Sequence, residues 1–168
     1  MHESGVTVQT LLEQDGPTSE SWNATLNIFE DGHARVKLHA AYLANYDTPD
    51  SSYTVLMALV ENQDRVRVDL FNPEGDSSAV VHADRITYYD RERRFVAEGD
   101  VVVQSAEDRW LFAEHLAWSE ITSRITTPGF STLKTPKETL SGYMLDADEN
   151  LFDFSMARVT GTVQTDDE

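Results

Sequence analysis

Leu111-Phe-Ala-Glu-His-Leu-Ala-Trp118 is a run of strand-forming residues whose apolar positions change step in the middle. Leu111 and Ala113 fall on odd numbers, Leu116 and Trp118 on even ones. A strand sends successive side chains to opposite faces, so a three-residue step between inward positions makes it bulge or turn a corner. The same small-x-x-apolar step occurs as Ala40-Ala-Tyr-Leu43, Ala83-Asp-Arg-Ile86 and Gly142-Tyr-Met-Leu145. Val81 and Ala83 give way to Ile86 and Tyr88 across the second of these. A glycine trails each of the last three copies: Gly99, Gly129 and Gly161. Repeated corners wrap a sheet around a core, and glycine inside a strand marks a bulge or a close backbone approach. Ala83, Gly99, Ala113, Gly129 and Gly142 are therefore the expected turn and bulge positions.

Outward from this run the dominant signal is alternation with period two. Ala34, Val36, Leu38 and Ala40 alternate with Arg35, Lys37 and His39, and Val66, Val68 and Leu70 with Arg67 and Asp69. Asp47-Thr-Pro-Asp50, Asn72-Pro-Glu-Gly75, Thr127-Pro-Gly129 and Thr135-Pro136 punctuate the runs as turns. Asp84–Arg94 is the nearest approach to a helix, and Thr87-Tyr88-Tyr89 within it favours a strand. The expected fold is all-β, a single twisted, open antiparallel jelly roll built from strand-corner-strand units. Residues 1–20 read as a linker with one weak strand around Val6, Val8, Leu11 and Leu12. The folded domain is expected over 21–165, with an acidic tail over 166–168.

The chain has 168 residues and no cysteine, which suits one domain without disulfides or thiolate chemistry. Its net charge of −17 and three lysines leave no basic face for nucleic acid or an anionic lipid surface. The acidity fits a salty habitat that screens carboxylate repulsion. No apolar stretch is long enough for a membrane span and no signal-peptide core is evident, so the sequence reads as a soluble chain, or as the trimmed form of an anchored one.

Converging chemical groups are hard to find. His2, His33, His39, His82 and His115 lack metal-ligand spacing. Asp146-Ala-Asp-Glu-Asn150 opens like a calcium loop but has Leu151 where glycine is required and Ala157 where a bidentate glutamate is required, so it reads as a polar turn. No nucleophile elbow, phosphate loop or dinucleotide fingerprint occurs. The expectation is a non-enzyme without metal or cofactor. What the sequence has in excess is apolar: Tyr53–Val60 is nearly continuous, and Val101-Val-Val103 adds to it. A curled sheet lined this way offers a trough for hydrocarbon chains.

The ordered set Trp22-Asn-Ala-Thr-Leu26, Phe29-Glu-Asp-Gly32, Ala40-Ala-Tyr-Leu43, Asn72-Pro-Glu-Gly75, His82-Ala-Asp-Arg-Ile86, Gly99-Asp-Val-Val-Val103, Leu111–Trp118, Leu140-Ser-Gly142 and Val159-Thr-Gly161 resembles the LptC family. That family is the periplasmic-side component of the lipopolysaccharide export transporter, in the OstA/LptA-like jelly-roll superfamily. The resemblance implies a non-catalytic carrier that receives lipid A acyl chains in an apolar groove. It also implies transporter membrane subunits with jelly-roll domains at one end and an LptA-like protein at the other. A periplasmic location follows, associated with the inner membrane through an anchor that this chain does not show. Strand parity nominates Leu38, Val55, Met57, Val81, Ile86 and Phe95 for the lipid groove, together with Val101, Val103, Leu111, Leu116, Phe130 and Met144. Trp22, Leu26, Val159, Gly161 and Val163 are expected at the end strands that meet partners. Three alternatives stand beside this: an LptA-like soluble bridge, an acidic β-sandwich enzyme acting on glycans, and a purely structural interaction module.

Overall fold

In the computed structural model, which describes residues 16–60 and 64–163, the protein is all-β. The strands are β1 (Ser19–Glu30), β2 (His33–Asp47), β3 (Ser52–Met57), β4 (Val66–Phe71), β5 (Ser77–Ala83), β6 (Arg85–Tyr89), β7 (Arg94–Ser105), β8 (Trp110–Ser119), β9 (Arg124–Lys134), β10 (Glu138–Asp148) and β11 (Phe154–Val163). They form one antiparallel sheet. The linker's nominated strand at Val6–Leu12 and the acidic tail lie outside the described residues. The first strand begins at Ser19, two residues before the expected domain start. The helix-like stretch after Asp84 is β6 and a tight turn.

Adjacent pairings show how the sheet is folded. The first part of β2 pairs with β4 and its second part with β3; likewise the first part of β7 pairs with β6 and its second part with β5. So β3 and β4 share one position, interrupted by residues 58–65, and β5 and β6 share the next, joined through Asp84. Each strand position thus runs through an upper half, containing β4 and β5, and a lower half, containing β3 and β6. The crossing level coincides with the three-residue steps: ladder irregularities fall between Glu98 and Val101 in β7, Ala113 and Ala117 in β8, and Tyr143 and Leu145 in β10. Both ends of the step are buried in Ala40/Leu43, Ala83/Ile86 and Gly142/Leu145, and Ala113 is half-buried opposite buried Leu116. The expected strand-corner-strand unit is therefore one outgoing strand with its small-x-x-apolar corner and one returning strand whose corner holds Gly99 or Gly129.

We call the line of corners the spine. Arg65 ties two of them together: its Nη2 donates to the carbonyls of Gly99 (2.7 Å) and Asp100 (2.5 Å), and its guanidinium pairs with the carboxylates of Asp84 and Asp100. Gly99 has φ +87°, and a Cβ there would sit 2.8 Å from the Asp84 side chain. Glycine is required at this corner on both counts. Gly129 has open space around its Cβ position.

The inner faces carry unbroken apolar rows. In the upper half the row runs Leu26, Leu38, Val68, Val81, Val103, Leu111, Leu133, Leu140, crossing from β1 to β10 by ladder pairing. In the lower half Leu43, Leu56, Ile86, Ala97 and Leu116 form the matching row. Between the end residues Leu26 and Leu140 these rows belong to one core cluster, and Leu26 packs against it. Gly99→Ala should lower the urea-unfolding free energy by about 1–3 kcal/mol through the strained φ and the Asp84 collision. Gly129→Ala should change it by less than about 0.5 kcal/mol.

Candidate functional site

The space between the two halves is the natural place to look for a site, and it is closed. A void of only about 20 Å³ remains among Val68, Leu70 and Val81 of the upper half and Ile86, Phe95, Ala97, Leu116 and Trp118 of the lower. That is room for about one water molecule, so the halves pack against each other as a core. Of the residues nominated for a lipid path, Leu38, Val81, Ile86, Phe95, Val101, Val103, Leu111 and Leu116 are all buried in this cluster.

Four nominations are placed differently. Val55 is buried but lies outside the core cluster, because its neighbour Leu56 pairs with Leu43 and Ile86 on the inner face. Met57 shares the parity of Val55 and is half-buried. Tyr53–Val60 is so uniformly apolar that alternation could not fix its register. Phe130 (55% exposed) and Met144 (67% exposed) point to solvent. Both sit at corners, Met144 with φ +56° and Phe130 one residue beyond Pro128-Gly129, where parity carried over from the straight part of the strand fails.

The turns at the far ends of the two halves meet along a line opposite the spine, which we call the mouth. Here polar groups cross between the halves. Arg35 of β2 reaches across to Glu149 in the β10–β11 turn (3.2 Å) and to the hydroxyl of Ser123 in the β8–β9 turn (2.9 Å). Glu30 at the end of β1 pairs with Arg93 of the β6–β7 turn (3.2 Å), and Arg93 pairs with Glu120 (3.0 Å). Ser78 of β5 donates to Glu149 from the upper half (2.9 Å), and the Trp118 indole N–H donates to Glu149 from the lower (3.0 Å). Arg109 donates to the Leu151 carbonyl (3.3 Å) and lies over the Phe152 ring (4.0 Å). Beneath this clasp stack Tyr88, Phe95 and Trp118, with the Tyr88 hydroxyl donating to Glu120 (3.2 Å).

None of the clasp residues was nominated from sequence. Arg35 reads there as a solvent-facing residue of an alternating strand, yet it is 2% exposed. The reason is a β-bulge: Ile28 pairs with Val36 and Phe29 with Ala34, leaving Arg35 as the extra residue. A bulge re-aims its side chain, and this one turns a guanidinium into the mouth. Its Nη1 has no hydrogen-bond partner, and its Nε, 3.3 Å from Glu30, is out of hydrogen-bonding geometry. Glu149 reads as part of a polar turn, and it is indeed in one, with its carboxylate folded inward. Two guanidinium groups face three carboxylates, so the clasp is short of one positive charge.

At the ends of the sheet, β1 and β11 each have a partner on one side only among the described residues. Trp22 is exposed and packs edge-on against Tyr42, and Leu26 is half-buried against the core. Val159 is exposed and Val163 closes β11 opposite Glu138. Gly161, nominated for a partner, has a nearer role: a Cβ there would collide with the Thr139 carbonyl oxygen of β10. Substitution would therefore break pairing within the chain. On the outer side, level with the spine, a hollow of about 720 Å³ is lined by Trp22, His39, Arg65, Arg67 and His82 among others. Burial, aided by Arg67 and Arg65, holds the His82 imidazole below its usual pKa.

The chain matches no model of a known protein family, and no curated protein matches it.

Two outcomes follow from the mouth. Glu149→Ala strands the buried Arg35 charge and should cost roughly 3 kcal/mol, whereas Glu92→Ala, whose exposed partner is Arg94, should cost less than about 1 kcal/mol. Urea unfolding of both variants measures the difference. The Tyr88 phenol is pushed up to about 12 by burial and then by Glu120. Between its ordinary value near 10 and this one the unfolded chain loses the proton while the folded chain keeps it, so stability must fall as pH rises through that window. Tyr88→Phe should flatten that part of the pH–stability curve relative to the parent.

Proposed function

We propose that this protein is a non-catalytic carrier component of lipopolysaccharide transport, holding lipid A acyl chains between its two half-sheets. The reading rests on one observation above all: a row of apolar residues crosses the inner face from β1 to β10, and among the described residues both terminal strands are paired on one side only. An acyl chain gains about 0.8 kcal/mol per methylene on leaving water, much the same between the half-sheets as in a bilayer. Such a conduit has no direction of its own, so hydrolysis elsewhere must supply it, and the carrier needs no catalytic groups. The free edges suit strand addition by neighbouring jelly rolls: a transporter membrane subunit at one end and an LptA-like protein at the other. A periplasmic position beside the inner membrane belongs to the same reading.

The closed interior favours a second one, a structural interaction module whose core never takes a ligand, because a void of about 20 Å³ admits no acyl chain unless the halves part. The glycan-acting reading has less behind it: Glu30, Glu120 and Glu149 are engaged by Arg35 and Arg93 instead of standing free for acid–base work.

A photo-crosslinking residue at buried Val101 should label added lipopolysaccharide strongly, and one at neighbouring exposed Asp100 weakly. Equal labelling from the two positions would favour the structural module.

A further inference from the structure

The two long borders of the folded sheet are unlike. The spine is made of continuous polypeptide at nearly every strand. The mouth is held only by side chains and a few turn hydrogen bonds, and its strongest elements are ion pairs. Glu30, Arg35 and Ser78 come from the upper half; Arg93, Glu120, Ser123 and Glu149 come from the lower. Arg93 and Glu30 are both about two-fifths exposed, so water and salt reach the outer pair. The inner pair is imperfect, with Arg35 Nη1 unpartnered.

The chain neighbours of the clasp add a second observation. Phe29 precedes Glu30, Ile121 follows Glu120, and Phe152 follows Leu151 beneath Arg109; all three are more than half exposed. Large apolar side chains at turns cost solvation and fill no core here. Directly under the ion pairs begins the Tyr88–Phe95–Trp118 stack, which continues into the apolar rows. From solvent inward the order is an apolar rim, a thin charged bar, then hydrocarbon.

We propose that the mouth is a lateral entrance for an acyl chain, and that the Glu30–Arg93–Glu120 and Arg35–Glu149 pairs are the bar that keeps it shut. The inference rests on the lipid-carrying reading and adds how that site is opened. A chain settles first against Phe29, Ile121 and Phe152; the outer ion pair parts; the half-sheets separate about the spine; the chain enters sideways. Removing the bar therefore raises the population of open molecules without touching the apolar faces.

Trp118 lies at the inner side of the bar, hydrogen-bonded to Glu149, and is 3% exposed. In a Trp22→Phe/Trp110→Phe background it is the sole tryptophan, and its quenching by acrylamide reports opening without any lipid. Uptake of a monoacylglycerol bearing a pyrene-labelled acyl chain, followed by stopped flow, reports entry. The double variant R93Q/E120Q should show quenching and uptake rates raised about five-fold, the scale on which loss of a half-exposed ion pair shifts a two-state population. R93K, which keeps the charge, should stay close to the parent. If the double variant does not fold, E30Q, altered at the exposed end of the network, is read in the same two assays and should rise in both. Quenching and uptake at parental levels overturn the bar. Raised quenching with no uptake by any of the proteins, parent included, overturns the acyl-chain reading and leaves a mouth that opens for nothing hydrophobic.

Discussion

A strand in a ladder cannot turn a corner by itself. Its neighbours hold it through backbone hydrogen bonds, so a change of phase in one strand leaves unpaired groups unless the next strand changes at the same level. Everything else in this protein depends on that constraint being met in strand after strand. Ala40–Leu43, the Asp84 junction, Gly99-Asp100, Ala113–Leu116 and Gly142–Leu145 all sit at one level. Arg65 consolidates it by bonding the Gly99 and Asp100 carbonyls at the β7 corner. With the corners aligned, one sheet becomes two facing halves whose inward residues meet.

Folding a sheet this way creates two borders with different physics. Along the spine the halves cannot separate, because the chain is continuous there. Along the mouth they are held by side-chain contacts and by the packed core behind them. Burying charges at such a border is costly unless they are paired, and the pairs formed here repay that cost incompletely. Apolar residues in place of Arg35 and Glu149 would close the border more firmly. Charged ones give a closure that is directional and breakable. A packed interior is therefore compatible with a carrier, provided the work of parting the halves is set by a few ion pairs, with the displaced apolar contacts replaced by the guest's own methylenes.

The corners and the inner rows were legible in the sequence because both are expressed in local periodicity. A three-residue step between apolar residues is visible wherever the flanking alternation is clean, as around Ala113 and Ala83. Legibility failed where periodicity was absent or broken. Tyr53–Val60 is apolar throughout, so only pairing with β2 and β6 decides that Leu56 faces inward and Val55 does not. Phe130 and Met144 stand at corners, where extrapolated parity inverts. The clasp was invisible for a deeper reason. Arg35 is turned inward by a bulge that exists only in its pairing with β1, and its partners Ser123 and Glu149 lie 88 and 114 residues away. Nothing local distinguishes those glutamates among 30 acidic residues. At Gly161 the need for glycine is set by the Thr139 carbonyl beside it, a neighbour that no local pattern announces.

The core is sealed in the middle and unfinished at both ends. Ala24, Leu26 and Ile28 at one end, and Phe154 and Met156 at the other, pack on the cluster but stay half-buried, with no further strand over them among the described residues. Within those residues each end has two deficits together: unpaired backbone on the outer edge, and apolar surface just inside it. A neighbouring sheet that adds a strand removes both at once, extending the ladder and the greasy row in register. A chain built so would polymerise with itself unless something opposed it. The charge of −17 does so, since copies repel at the range of the Debye length before their edges can meet. A partner with a less acidic edge feels less of that repulsion and the same attraction.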